Sequence, residues 1–349
     1  MFGDPAISPP WVCVERFSDI ESQAAHYRGY GQEYQQLSAG PFEGRVTSFD
    51  FGCDFIVQLE TANQALAQAA ATPADRWGVC FLTETSPSCT INGSTLARDH
   101  LAVCPGGEAL VGKTPAGLNV YCMDVSRDLL LEETAERSGV GVIYDAPGVR
   151  SLREVLESGL ATLARLQSPE QPSAAAMAFK SSVADALWRV MSRSGADTAQ
   201  SVPQGAKRRA LRQFRIAQEY IDHRLTDGIS IAEVCRHTGA SRRCLECVFQ
   251  SILGMGPGAY IRNLQLNRVR RDLLSGEKDG VSIGDIAARY GVWHWSRFSQ
   301  NYKLLFGELP SQTRARPALR SPAAPTRDAP LDPRAVGTGH PSEPDSRCL

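Results

Sequence analysis

Ser230-Ile-Ala-Glu-Val-Cys-Arg-His-Thr-Gly239 and Ser282-Ile-Gly-Asp-Ile-Ala-Ala-Arg-Tyr-Gly291 are two copies of one pattern in this 349-residue chain. Each copy leads into a second amphipathic segment and then a Gly-x-x-Pro sequence, at Gly254–Pro257 and Gly307–Pro310. A serine that caps a helix, a glycine turn and a second helix together predict a helix-turn-helix. The repetition predicts two such units, whose main use is to bind DNA.

The predicted second helix of each unit has an apolar inner face, formed by Leu245 with Phe249 and by Phe298 with Tyr302. Residues four apart lie on one face of a helix, so the polar residues between them point outward. In the first unit the outward residues are Ser241, Arg242, Arg243, Glu246 and Cys247. In the second unit they are His294, Trp295, Ser296, Arg297 and Gln300, with Lys303 as a candidate contact to the DNA backbone.

Residues from about 207 to 315 resemble the DNA-binding domain of the AraC/XylS family of bacterial transcription regulators. The second copy carries the most specific part of the resemblance, with Tyr290-Gly291, Trp293-His294 and Leu305-Phe306-Gly307 followed by Pro310. The resemblance implies two helix-turn-helix units joined by a long helix and bound in successive major grooves. It also implies that the outward residues of the second unit reach base edges.

The charge distribution separates two parts of the chain. Residues 1–206 hold 14 Lys and Arg against 24 Asp and Glu, whereas residues 207–316 hold 19 against 10. The formal net charge of −1 for the whole chain hides this asymmetry. A basic helical module that follows an acidic region is typical of a DNA-binding protein with a separate regulatory domain.

The acidic part predicts a β-rich sensor, so the expected fold class is α+β with an all-α C-terminal domain. Short β-rich segments punctuated by Gly, Pro and Asn run from about residue 40 to 125, which favours a barrel or a double-sheet sandwich. In the family resembled, this region is a cupin-like barrel that senses a small molecule. Amphipathic stripes predict helices over about 127–194, and the family implies that such helices pair two protomers into a homodimer.

These patterns define the expected domain boundaries. Residues 1–195 form the sensing and dimerisation domain, 196–206 a flexible linker, and 207–316 the double helix-turn-helix domain. Residues 317–349 are rich in Pro, Ala, Arg and Asp without periodicity and are expected to be disordered. The chain has no long apolar segment and its N-terminus does not resemble a signal peptide, so we expect a cytoplasmic protein with reduced cysteines.

The expected function is a sequence-specific transcription regulator that acts on promoter DNA with RNA polymerase, most often as an activator, under control of an unidentified small-molecule effector. One alternative is a thiol-responsive regulator of the same fold, because Cys244 and Cys247 form a C-x-x-C on the first recognition helix. A third reading is a cupin-type enzyme, but His26 and His100 lack the neighbours of a metal triad. We therefore expect no catalytic residues, no metal and no cofactor.

Overall fold

The computed structural model describes residues 11–27, 29–52, 54–129, 141–165, 174–193, 204–275 and 280–316. All of these residues belong to one compact unit. The predicted tail, residues 317–349, and most of the predicted linker lie outside the described residues. None of the helices in the described ranges has the length and hydropathy needed to cross a membrane.

The N-terminal part consists of two antiparallel sheets. The strands are β1 (Val12–Phe17), β2 (Glu33–Gln36), β3 (Gly44–Asp50), β4 (Phe55–Ala62), β5 (Leu66–Ala71), β6 (Arg76–Leu82), β7 (Cys89–Ile91), β8 (Ser94–Leu96), β9 (His100–Pro105), β10 (Ala109–Thr114), β11 (Leu118–Ser126) and β12 (Gly141–Tyr144). One sheet has the order β1-β3-β4-β11-β6-β9-β12, and the other has the order β2-β5-β10-β7-β8. The double-sheet prediction is therefore confirmed.

Some of the helices pack on this sandwich, and the others form the C-terminal part. They are α1 (Ile20–His26), α2 (Ala146–Arg165), α3 (Ala174–Arg193), α4 (Gln204–Arg224), α5 (Ile231–Thr238), α6 (Arg242–Leu253), α7 (Pro257–Ser275), α8 (Ile283–Arg289), α9 (Trp295–Phe306) and α10 (Pro310–Ala315). Short 3-10 turns follow β11 at Arg127–Leu129 and α4 at Leu225–Asp227.

Local sequence explains the burial along β11 and the turn between β7 and β8. Along β11, Leu118 and Val120 are buried in one hydrophobic cluster, and Tyr121, Met123 and Val125 are buried in another on the opposite face of the strand, because successive side chains point to opposite faces. Asn92 and Gly93 connect β7 to β8 with φ values of 49° and 74°. Two consecutive residues in the left-handed region make the tight hairpin turn whose twist matches that of the strands.

The boundaries expected for the N-terminal part need three corrections. The strands begin at Val12, and β1, α1 and β2 precede the predicted start near residue 40. The helical prediction over 127–194 is wrong at Gly141–Tyr144, because this β-branched and aromatic segment pairs with β9 at the edge of the sheet. The predicted linker is helical from Gln204 onward, where α4 begins.

Two hydrophobic cores account for most of the packing. The first joins the seven-stranded sheet to α2 and α3 through side chains such as Trp77, Leu152 and Val183. The second joins α4, α5, α6 and α7, and it includes Ala67 of β5 and Val111 of β10. The five-stranded sheet thus packs directly on the first part of the helical region.

Candidate DNA-binding interface

The first helix-turn-helix consists of α5 and α6. Ser230 caps α5: the Glu233 amide donates to Ser230 Oγ at 3.3 Å, and the Ser230 amide donates to Glu233 Oε2 at 2.8 Å. Hydrogen bonds from Ser230 lower the pKa of Glu233. The helix ends at Gly239, whose φ of 64° is the left-handed conformation that glycine adopts without strain. The predicted capping box and glycine turn are both present.

The second helix-turn-helix, α8 and α9, repeats this arrangement. The Asp285 amide donates to Ser282 Oγ at 3.1 Å, and the Ser282 amide donates to Asp285 Oδ2 at 3.1 Å. The Tyr290 backbone caps the end of α8, and Gly291 follows with a φ of 74°. The start of α9 differs from that of α6, because its N-cap His294 makes no side-chain capping bond.

The inner faces of both recognition helices are buried aromatic clusters, as their spacing predicts. Phe249 of α6 packs on Phe214 of α4 with ring centroids 4.9 Å apart and on Tyr260 of α7 at 5.4 Å. In α9, Tyr302 contacts Phe298 at 5.6 Å and Phe306 at 4.7 Å. These contacts fix which face of each recognition helix turns toward solvent.

On α6, four of the five residues proposed to contact DNA are exposed: Ser241, Arg242, Arg243 and Cys247. Ser241 is the N-cap of the helix, and its Oγ accepts the Cys244 amide at 3.2 Å. Glu246 is half-buried, and its carboxylate lies beside Gly256, where an added Cβ would be 2.4 Å from Glu246 Oε2. The Glu246 carboxylate therefore faces the start of α7.

On α9, all the proposed residues are exposed: His294, Trp295, Ser296, Arg297, Gln300 and Lys303. The Trp295 side chain is 51% exposed while its ring packs on Phe298 at 5.4 Å. Trp293, in the turn before α9, is 74% exposed and was not among the predicted site residues. The sequence shows a tryptophan next to His294, but only the structure shows that its side chain is exposed.

The arginines of the helical region divide into two groups. Arg242, Arg243 and Arg297 have no carboxylate within ion-pair distance in the described part of the chain, so their charges are available to a phosphate or a base. Arg268 instead pairs with Asp222 at 3.2 Å and Glu33 at 3.5 Å. Arg242, Arg243 and Arg297 therefore place unpaired positive charge on the exposed faces of both recognition helices.

The connecting helix α7 holds the second unit through a buried polar network. Arg270 pairs with Glu308, Thr313 Oγ1 donates to Glu308 at 2.8 Å, and Tyr302 donates to Thr313 at 2.8 Å. Burial opposes ionisation of Glu308, but the Thr313 hydrogen bond and the Arg270 charge outweigh it and lower the pKa of this carboxyl. The network fixes α10 and the end of α9 against α7.

The two cysteines of the first recognition helix form no hydrogen bond with each other. Cys244 and Cys247 are both exposed, and the Cys244 thiol donates to Gln213 Oε1 at 3.5 Å. A thiol–thiol contact does occur in the N-terminal sheet, where Cys80 and Cys122 lie opposite each other on β6 and β11 with sulfurs 3.5 Å apart. The hydrogen bond with Cys80, together with burial, holds the pKa of Cys122 well above its ordinary value.

The comparisons with known proteins agree with this geometry. Residues 234–316 match the model of a helix-turn-helix domain family. The probable thc operon regulatory protein of Rhodococcus erythropolis is 33% identical over 98 residues, which are 28% of this chain and 30% of that protein. The XylDLEGF operon transcriptional activator 3 of Pseudomonas putida is 33% identical over 107 residues, 31% of this chain and 32% of that protein. The chain thus spans about a third of the length of these relatives.

A solved structure, that of the AraC-like transcriptional activator CuxR, aligns over 80% of this chain and 99% of its own, with 16% identity and a TM-score of 0.44. The two capped units, their exposed recognition helices and the matched domain define a double helix-turn-helix DNA-binding domain. Over these residues the C-terminal domain is similar to the AraC/XylS family of bacterial transcription regulators.

Proposed function

We propose that the protein is a sequence-specific DNA-binding transcription regulator whose N-terminal sandwich senses a small molecule. The observation that carries the proposal is the pair of recognition helices with buried inner faces, on which Arg242, Arg243 and Arg297 are exposed and unpaired in the described residues. Arginine at such positions can contact phosphates or form two hydrogen bonds with a guanine. The relatives named as operon regulators support the same reading.

The proposed site residues are those of the sequence analysis, but their exposure makes some better suited to contact DNA than others. Arg242, Arg243, Arg297 and Gln300 are suited to base or phosphate contacts because they are exposed. We propose Trp293 as an additional contact at the turn of the second unit. Glu246 is the least suited of the set, since its carboxylate lies against Gly256.

The remaining parts of the proposal concern assembly and partners. We propose a cytoplasmic homodimer that pairs through α2 and α3, binds promoter DNA and activates transcription by contact with RNA polymerase. Trp188 of α3 is 41% exposed and Met177 is 67% exposed, which provides apolar surface on that helix for a second copy. The sequence boundaries, with a sensor over 1–195 and a DNA-binding domain over 207–316, belong to the same proposal.

A selection experiment tests the proposal directly. The full chain is incubated with random DNA duplexes, and the retained sequences are read and footprinted. We expect two short boxes about 10 bp apart, because recognition helices that enter successive major grooves are separated by about 34 Å. Affinity should fall steeply with salt, since each neutralised phosphate releases counterions.

The matched control replaces Arg242, Arg243 and Arg297 together by alanine and leaves the half-buried Arg268 and the buried Arg270 intact. The control protein should fold as before and lose both the selected motif and the steep salt dependence. A full chain that retains no motif, or a control that retains the same one, would overturn the proposal.

A further inference from the structure

A cavity of about 250 Å³ lies between the N-terminal part and the connecting helix. Its walls come from α1, from β2 and the residue before it, and from α7, which joins the two helix-turn-helix units. The polar residues that line it include Glu21, Glu33, Gln35, Asn267, Arg268 and Arg271. Ala24, Ala25 and Leu264 add apolar surface. The cavity is large enough for a small metabolite.

Two of the residues that line the cavity carry a hydrogen-bond acceptor that lacks a donor. Glu21 Oε2 and Gln35 Oε1 are shielded from solvent and have no hydrogen-bond partner among the residues that the structure describes. Burial raises the pKa of Glu21 to about 7, although Arg270 and Arg271 oppose this shift. A shielded acceptor without a donor costs free energy, so both atoms are suited to a ligand that brings N–H groups.

The cavity wall also carries positive charge, opposite in sign to that of an ionised Glu21. Arg268 is occupied by Asp222 and Glu33. Arg271, three residues further along α7, is exposed and lines the cavity, and no carboxylate of the described residues lies within ion-pair distance of it. A guanidinium in this state is suited to bind a carboxylate through paired hydrogen bonds.

We propose that this cavity binds a small zwitterion, with its amine on Glu21 and Gln35 and its carboxylate on Arg271. The inference rests on the proposed function, because it identifies the chemical class of the effector and where it binds. The ligand contacts the sensor through α1 and β2 and contacts the DNA-binding region through α7.

The position of the cavity explains how occupancy would reach the DNA-binding domain. Asn267 in its wall accepts the Gln36 amide at 2.9 Å and donates to the Gln36 carbonyl at 3.2 Å. These two bonds join β2 to α7 at the edge of the cavity. A ligand that touches both elements therefore changes the stability of the joint between the sensor and both helix-turn-helix units.

Calorimetry on the full chain without DNA tests the proposal. The probes are glycine, β-alanine, γ-aminobutyrate and norleucine, with butyrate and butylamine as ligands that carry one charge only. We expect at least one zwitterion to bind about tenfold more tightly than either singly charged ligand. Glu21→Gln should remove the advantage over butyrate, and Arg271→Gln should remove the advantage over butylamine.

Arg262→Gln is the matched control, because Arg262 is exposed on the same helix and does not line the cavity. It should bind the zwitterion as the unmodified chain does. The proposal is overturned if no zwitterion binds at about 10 mM, or if Glu21→Gln and Arg271→Gln both bind like the control. Arg271 is exposed, so its substitution tests the site even if Glu21→Gln impairs folding.

DNA binding of the ligand-free protein is measured separately, by the selection described above. Zwitterion binding without a selected DNA motif would contradict the proposed function but would support the ligand site. A selected motif without zwitterion binding would contradict the ligand site alone.

Discussion

Arg297 and Lys303 are both exposed cations of α9, six residues apart. Because each residue advances about 100° around a helix, the two side chains point about 120° away from each other. Both cannot face the floor of the same groove. Arg297, near the N-terminus of the recognition helix, is placed for base contact, and Lys303 is placed for the phosphate backbone.

The first prediction separates these two roles. Arg297→Ala should cost about 1–3 kcal/mol of DNA-binding free energy and relax the preference at one base in one box only. Lys303→Ala should weaken all sequences alike and reduce the salt dependence. Binding of each variant to a set of base-substituted duplexes measures both effects. A uniform loss for Arg297→Ala, with base preference unchanged, would show that Arg297 does not read sequence.

A second prediction at this scale concerns the thiols. The exposed Cys244 and Cys247 have no mutual contact among the described hydrogen bonds. We therefore expect the double substitution Cys244→Ser, Cys247→Ser to leave the ratio of DNA affinities before and after hydrogen peroxide as it is in the unmodified chain. Cys80→Ser serves as a control for the thiol pair in the sheet. A peroxide response present in the unmodified chain and lost only in the double variant would favour the thiol-responsive alternative.

At the scale of elements, the features that the sequence predicts well are those set by residues close together in the chain. The capping boxes depend on Ser230 with Glu233 and on Ser282 with Asp285, each three residues apart. The recognition faces follow from the i, i+4 aromatic and aliphatic pairs. By contrast, β12 is a four-residue strand between helical stripes, and its pairing with β9 is determined by a partner about forty residues away.

Contacts between distant segments were beyond what sequence patterns could predict. The orientation of Glu246 toward Gly256 depends on where α7 begins. The cavity depends on the meeting of α1 with α7, and neither Glu21 nor Arg271 belongs to a motif. Only the fold shows that the two residues line one space.

The prediction at this scale concerns the caps. Ser230→Ala and Ser282→Ala should each cost about 1 kcal/mol of unfolding free energy, because each leaves a helix-start amide without its acceptor. Hydrogen bonds from the serines lower the pKa values of Glu233 and Asp285. A lowered carboxyl pKa stabilises the fold above the unfolded value, about 4, and this contribution is lost as the pH falls through the folded value.

Urea unfolding of the full chain at neutral and acidic pH measures these costs. Ser251→Ala is the control, since its hydroxyl donates to Val248 within α6 and caps no helix start. The capping role is contradicted if the Ser230 and Ser282 variants unfold like the control, or if their deficit does not shrink at acidic pH.

At the scale of the whole molecule, the sensor and the helical region share polar joints as well as a core. The Gln36 side chain donates to the Leu305 carbonyl at 2.6 Å, and the Gly40 amide donates to the carbonyls of Leu304 and Leu305 at 3.2 and 3.1 Å. The segment after β2 therefore caps the end of the second recognition helix. With the Asn267 bonds, one short stretch of the sensor touches both the connecting helix and α9.

The final prediction tests this joint. Asn267→Leu should destabilise the full chain by about 1–3 kcal/mol, because the buried Gln36 amide and carbonyl both lose a side-chain partner. Asn263→Leu is the matched control one turn earlier on α7, where the side chain is half-buried. Urea unfolding compares the two variants, and DNA binding by each shows whether the joint restrains the recognition helices. Equal stabilities for the two variants would mean that the Gln36–Asn267 pair adds nothing to the packing between the sensor and α7.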